Sequence, residues 1–173
     1  TTDYVAAGFV AKSNSTKIND AKVNNLKTVT STDDGGYSGG FIGISKTGGL
    51  AEVGDETEIK KLISANGLLN AVGYLIPSYQ QCYVSYVDNG GVRGDIAGGF
   101  VGDFQSGIVE NDENNAYAIQ NISYVKGKTY AGGFGGKVYS GALADSTKGI
   151  SILGGLADLN IQISDLLSLI QVY

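Results

Sequence analysis

The tripeptide Arg93-Gly94-Asp95 is the stretch of this sequence with the clearest recognition chemistry. Arg-Gly-Asp sequences are known for binding integrins, and Arg93 is the only arginine in the chain. The tripeptide also lies in a glycine-rich stretch, residues 90–109, whose composition indicates turns. We therefore expect a surface turn between strands, with receptor binding through Arg93, Gly94 and Asp95 as the alternative.

Residue types that commonly perform catalysis are scarce. Histidine is absent, which removes the commonest general base and the commonest zinc ligand. Cys82 is the single cysteine, so it forms no internal disulfide, and it is expected to be a small buried apolar residue. A carboxylate pair could in principle hydrolyse glycosides, but no spacing singles one out. We predict that the chain is not an enzyme and name no catalytic residue.

Acidic stretches leave bound calcium open. Asp33-Asp34, Asp88-Asn89 and residues 110–115 (ENDENN) supply the oxygen ligands that calcium prefers. None of them has the spacing of an EF-hand loop. We expect solvated turns, no cofactor and no dedicated metal site, with structural calcium as the alternative.

Charge and composition exclude several classes of partner. The chain has 173 residues, 42% of them hydrophobic, with a net charge of −5 and a pI near 4.6. Its lysines are scattered, which argues against nucleic acid and against an anionic membrane surface. The 27 glycines show no collagen-like triplet and must mark specific backbone positions. Both ends of the sequence resemble cuts in a longer polypeptide.

A short motif recurs four times. Its copies are VAAGFVA (5–11), YSGGFIG (37–43), IAGGFVG (96–102) and YAGGFGG (130–136). The phenylalanines of the first two copies are 32 residues apart, those of the last two are 34 apart, and the middle interval is 59. The positions predicted to be structural are Gly8, Phe9, Gly39, Gly40, Phe41, Gly43, Gly98, Gly99, Phe100, Gly102, Gly132, Gly133, Phe134 and Gly136.

Strand-like runs precede three of the copies. Residues 26–30, 82–87 and 119–125 alternate apolar and polar side chains and are rich in valine, isoleucine, threonine and tyrosine. The turn-forming sequences STDDGG, DNGG and KGK follow them. Repeats of about 20 to 50 residues indicate a solenoid, whose units bury apolar surface only by stacking. We predict a mainly β fold, a right-handed β-helix or solenoid with the four phenylalanines stacked inside.

Two apolar segments interrupt the repeats. Residues 57–72 and 152–170 have apolar side chains at helical spacing and are predicted to be two α-helices packed on the solenoid. Polar residues within the second segment exclude a membrane span. A partner-binding helix is the alternative. Because each segment follows two motif copies, we divide the chain into repeat units 1–78 and 79–173, which together form one solenoid fragment.

The best motif copy resembles a known repeat. AGGFVGDFQSGIVEN, residues 97–111, is similar to the GLUG motif of bacterial cell-surface adhesins and some large secreted proteins. The matching positions include Gly98, Gly99 and Gly102, followed by Ser106-Gly107. In the other copies, alanines replace two glycines of the first and Gly135 replaces the second apolar residue of the fourth. The resemblance implies an extended extracellular β-solenoid.

These observations together predict a non-enzymatic structural or adhesive segment of a bacterial surface protein. Its location would be extracellular, at the cell surface or cell wall. Its partner would be a protein or glycan on a host or neighbouring cell, with no nucleic acid and no membrane insertion. A glycan-binding or carbohydrate-active β-helix is the first alternative, kept open by the 11 tyrosines. An ice-binding solenoid is the second, although repeated Thr-x-Thr sequences are missing.

Overall fold

A computed structural model describes residues 4–47, 75–112 and 117–139. The chain divides into two compact units, of which the first comprises Thr1–Lys46 and Ile76–Ser140. The second comprises Thr47–Leu75 and Gly141–Tyr173. The two predicted helices, residues 57–72 and 152–170, lie outside the described residues.

The described residues form thirteen strands, and every strand pairing among them is parallel. The prediction of a mainly β fold is therefore confirmed, and the parallel sheets are consistent with a β-solenoid. No helix among these residues has the length and apolar character needed to cross a membrane. The strands are β1 (Val5–Ala7), β2 (Val10–Asn14), β3 (Lys17–Asn19), β4 (Lys22–Thr30), β5 (Tyr37–Gly39), β6 (Ile42–Lys46), β7 (Ser78–Gln80), β8 (Tyr83–Gly98), β9 (Val101–Phe104), β10 (Ile108–Glu110), β11 (Ile119–Gln120), β12 (Tyr124–Gly132) and β13 (Gly135–Val138).

Successive stretches of chain stack as coils. One sheet has the order β13-β9-β6-β2, a second β10-β7-β3, and a third joins β1, β5, β8 and β11, with β4 and β12 also paired to β8. We number the coils by residue: coil 1 is 5–30, coil 2 is 37–93, coil 3 is 96–127 and coil 4 is 130–138. The middle 59-residue interval is therefore one coil that carries an extra segment between β6 and β7. The division into units 1–78 and 79–173 stays a prediction.

Two of the expected turns are strands instead. DNGG lies inside β8 and KGK inside β12, so the turn prediction was wrong at both places. Within DNGG only Gly91 is in register with a strand on each side, Thr28 of β4 and Tyr124 of β12, and the residues before it fall at an irregularity in the β4 pairing. Asn89 takes a left-handed conformation (φ 61°) close to a register irregularity between β4 and β8. STDDGG does turn, with Gly35 at φ 77°.

The four motif phenylalanines form one continuous stack across the coils. Neighbouring ring centroids are 4.7, 5.0 and 5.3 Å apart from Phe9 to Phe134, and each pair of planes differs by 7°. The backbone N–H of Phe41 donates to the carbonyl of Phe100, whose N–H donates to that of Phe134, both at 2.8 Å. Phe41 and Phe100 are fully buried, whereas the end rings of Phe9 and Phe134 are 51% and 39% exposed.

The glycines beside the stack are required by close approach rather than by unusual dihedral angles. None of the motif glycines has φ in the left-handed region. A Cβ on Gly40 would fall inside 3.0 Å of both the Tyr86 hydroxyl and the Gly99 carbonyl, and real Cβ atoms essentially never come so close. Tyr86 is buried and donates its hydroxyl to that carbonyl at 2.7 Å, so the ring closes the interior against the corner. The glycine pair thus lets adjacent coils and a tyrosine meet at one point.

Candidate functional site

The Arg93-Gly94-Asp95 tripeptide lies inside strand β8 and not in a turn, so the expected surface turn was wrong. Arg93 is in register with Thr30 of coil 1 and with Lys126 of coil 3. The glycine is explained by packing, because a Cβ on Gly94 would lie 2.7 Å from the Ser31 hydroxyl oxygen. Gly94, which suggested a turn in the sequence, is therefore explained by the close packing of strand β8 against Ser31.

The side chain of Arg93 is engaged with the neighbouring coil. Its guanidinium carbon is 4.8 Å from the centre of the Tyr124 ring, and the Lys126 Nζ is 5.4 Å from the same ring. The Tyr124 hydroxyl lies 3.3 Å from that of Thr28 in coil 1. This hydrogen bond, with the nearby Arg93, lowers the pKa of Tyr124. Tyr124 thus spans three coils and holds both cations by cation–π attraction.

The carboxylate of Asp95 is held by two donors from other parts of the chain. It accepts a hydrogen bond from the Thr129 hydroxyl and one from the Gly35 backbone N–H at 2.5 Å. These two hydrogen bonds, the Thr129 one foremost, lower the pKa of Asp95 below its ordinary value. Both charges of the tripeptide therefore contact neighbouring turns and strands of the same molecule.

An open cleft of about 410 Å³ surrounds the tripeptide. It carries three cationic and three acidic side chains, and Lys128 forms an exposed ion pair with Asp34. Exposed pairs of this kind contribute little to stability. The mixture of both signs gives the cleft no net preference for a cation or an anion. Its lining residues are Ser31, Thr32, Asp33, Asp34, Arg93, Gly94, Asp95, Lys126, Gly127 and Lys128.

The described part of the chain has no grouping of acidic residues suited to a metal ion. Within residues 4–47, 75–112 and 117–139, no three His, Cys, Asp or Glu side chains are grouped so that they could hold a metal ion. Asp33 and Asp34 line the cleft, whereas part of the ENDENN stretch, 113–116, lies outside the described residues. The expectation of no cofactor, with structural calcium as its alternative, stays a prediction.

Cys82 is enclosed by the first unit. Its side chain is fully buried, and its Sγ is 3.3 Å from the Gln80 carbonyl oxygen. Burial raises the pKa of the thiol, which keeps it protonated at neutral pH. It is the small buried residue that the sequence indicated.

A buried polar cluster was missed by the sequence analysis. The Tyr79 hydroxyl lies 2.7 Å from that of Ser13 and 2.6 Å from that of Ser45, which also donates to the Ser106 carbonyl at 2.7 Å. Both serines stand four residues after the motif phenylalanine of their coil, where coil 3 has Phe104. Aligning the repeats at this position would have shown that two coils share an inward polar residue.

No protein-family model, curated protein or solved structure matches this chain. The GLUG resemblance consequently stays a sequence-based expectation.

Proposed function

We propose that this chain is a non-enzymatic structural or adhesive segment of a bacterial surface protein, built as a right-handed β-helix. It would lie outside the cell, at the surface or in the wall, and contact a protein or glycan of a host or neighbouring cell. The helices expected at 57–72 and 152–170 would pack on the solenoid. Right-handedness follows from the strong preference of parallel β connections for that hand.

The observation that supports this proposal is that the charged and hydroxyl side chains with recognition or catalytic chemistry contact other parts of the same chain. Arg93 lies against Tyr124, and the Asp95 carboxylate accepts hydrogen bonds from Gly35 and Thr129. The Tyr79 hydroxyl contacts serines of two coils. Each of these groups joins one coil to another, as expected of a stiff spacer that resists extension.

Surface exposure in the source organism tests the proposal. Antibodies raised against the folded chain should label intact cells, and protease added outside should remove the label. A cytoplasmic protein detected in the same samples should survive the protease. Labelling that appears only after permeabilisation would overturn the assignment to the cell surface.

Glycan binding is the second candidate. Exposed aromatic rings favour it, because sugars bind to such rings: Tyr130 is 51% and Tyr139 is 45% exposed. Retention on a glycan array that is lost in Tyr130→Ala, but kept in the conservative Tyr130→Phe, would favour this function. Equal retention of both variants would remove Tyr130 from a sugar-binding role.

A further inference from the structure

Coil 1 differs from the other three coils at one position, the second residue of the strands β2, β6, β9 and β13. Gly43, Gly102 and Gly136 occupy this position in coils 2, 3 and 4, and Ala11 occupies it in coil 1. A Cβ on each glycine would meet the carbonyl oxygen of the preceding coil, at 2.5 Å for Gly43, 2.7 Å for Gly102 and 2.8 Å for Gly136. At every described junction, therefore, a side chain on the following coil would collide with the coil before it.

Ala11 carries the methyl group that the other three coils lack. By the same geometry, its Cβ points to where the carbonyl of a further coil would lie. If the last coil of a second copy approached coil 1 in register, its Gly136 carbonyl would meet the Ala11 methyl. The first edge consequently rejects a continuation that the inner edges accept.

The charged residues at the next position also oppose the stacking of a second copy. Lys12, Ile44, Asp103 and Lys137 form one column of register partners, from coil 1 to coil 4. A copy stacked head to tail would place its Lys12 beside Lys137 of the first copy, about 4.8 Å away along the sheet. Like charges directly opposite each other on neighbouring strands are destabilising. Lysine on an exposed strand edge is also a known defence against pairing between chains.

We infer that Ala11, Lys12 and Lys137 prevent a second copy of this chain from continuing the coil stack head to tail. The partner that is rejected is the same solenoid in the same register. The Phe9 ring is half exposed at the first end, so a coil added there in register would extend the phenylalanine stack. This inference does not depend on the proposed surface location.

Charge reversal combined with removal of the methyl group tests the inference. The variant Ala11→Gly/Lys12→Asp would allow close approach and would place an acid beside Lys137 of the next copy. We expect the wild-type chain to sediment as a monomer across a concentration series and this variant to form dimers and longer head-to-tail oligomers. Added salt should weaken the association, because the new pair is exposed.

Two matched variants identify the contact. Ala11→Gly/Lys12→Arg keeps the positive charge and should remain monomeric. Adding Lys137→Gln to the associating variant removes the attracting cation and should return it to monomer. Circular dichroism checks that each variant is folded. Wild-type chains that already stack, or a folded Ala11→Gly/Lys12→Asp variant that stays monomeric, would overturn the inference.

Discussion

The Asp95 carboxylate is engaged by two other parts of the chain. Thr129 and Gly35 donate hydrogen bonds to its carboxylate and lower its pKa. A lowered pKa in the folded state means that the charged form stabilises the fold. The contribution is complete above the unfolded pKa of about 3.9 and is lost as pH falls through the lower folded pKa.

The first prediction is a pH-dependent difference between the wild-type chain and Asp95→Asn. The wild-type chain should have the larger free energy of unfolding at pH 7, and the difference should shrink as pH falls below about 4. Urea unfolding at several pH values measures it. Thr129→Val, which removes one donor, should show the same narrowing to a smaller extent. A difference that is constant with pH would contradict the assignment to the Asp95 charge.

The tripeptide also shows where sequence reasoning fails at this scale. Composition and glycine content indicated a turn, yet Gly94 lies in a strand. The residue is glycine because a side chain there would strike Ser31. The two reasons for a glycine, an unusual dihedral angle and close approach, look identical in one sequence. Only the position of the neighbouring coil distinguishes them.

At the scale of elements, the corners of the coils are set by paired glycines, and the chain offers a matched comparison. Gly40 and Gly133 are the second glycines of their motif copies. A Cβ on Gly40 would collide with Tyr86 and Gly99, whereas a Cβ on Gly133 meets no atom within 4 Å.

The second prediction follows from that contrast. Gly40→Ala should lower the midpoint of thermal unfolding strongly, because backbone of two coils must separate. Gly133→Ala should be neutral or stabilising by about 0.4–1 kcal/mol, since alanine restricts the unfolded chain. Thermal unfolding followed by circular dichroism compares the two. Equal destabilisation would show that the glycines are needed for another reason.

The repeat spacing predicted the elements well at the motifs and poorly between them. The motif copies fall at successive corners because glycine pairs and a stacked phenylalanine leave a fixed pattern in the sequence. The strand through DNGG escaped prediction because β8 continues past a register irregularity there and regains parallel partners on both sides from Gly91 onward. Local propensity cannot report a constraint that distant coils supply.

At the scale of the whole molecule, stability is shared between coils through the phenylalanine stack. The third prediction is that Phe100→Ala, in the buried middle of the stack, lowers the free energy of unfolding by about 3 to 5 kcal/mol. Phe9→Ala should cause a markedly smaller loss, since that ring is 51% exposed at the end. Urea unfolding monitored by circular dichroism measures both. Similar losses in the two variants would contradict a larger contribution from the buried central ring than from the exposed end ring.

The fourth prediction concerns receptor recognition by the intact chain. We expect immobilised protein to support no divalent-cation-dependent attachment of integrin-bearing cells, because Arg93 and Asp95 are engaged within the molecule. Asp95→Glu is the matched control, since it keeps the charge but alters the reach of the carboxylate. Attachment of the wild-type chain that disappears in the variant, at equal thermal stability, would contradict the prediction and establish a binding tripeptide.

The corner between the second and third strands of a coil has a consequence for engineering. In coil 1 two residues, Ser15-Thr16, join β2 to β3, whereas in coil 2 residues 47–77 join the equivalent strands β6 and β7. Both connections return the chain to the same register, with Lys17 opposite Ser78. A corner that accepts either length suits the grafting of foreign peptides. Epitopes or enzyme domains could be displayed there while the stacking of the coils stays unchanged.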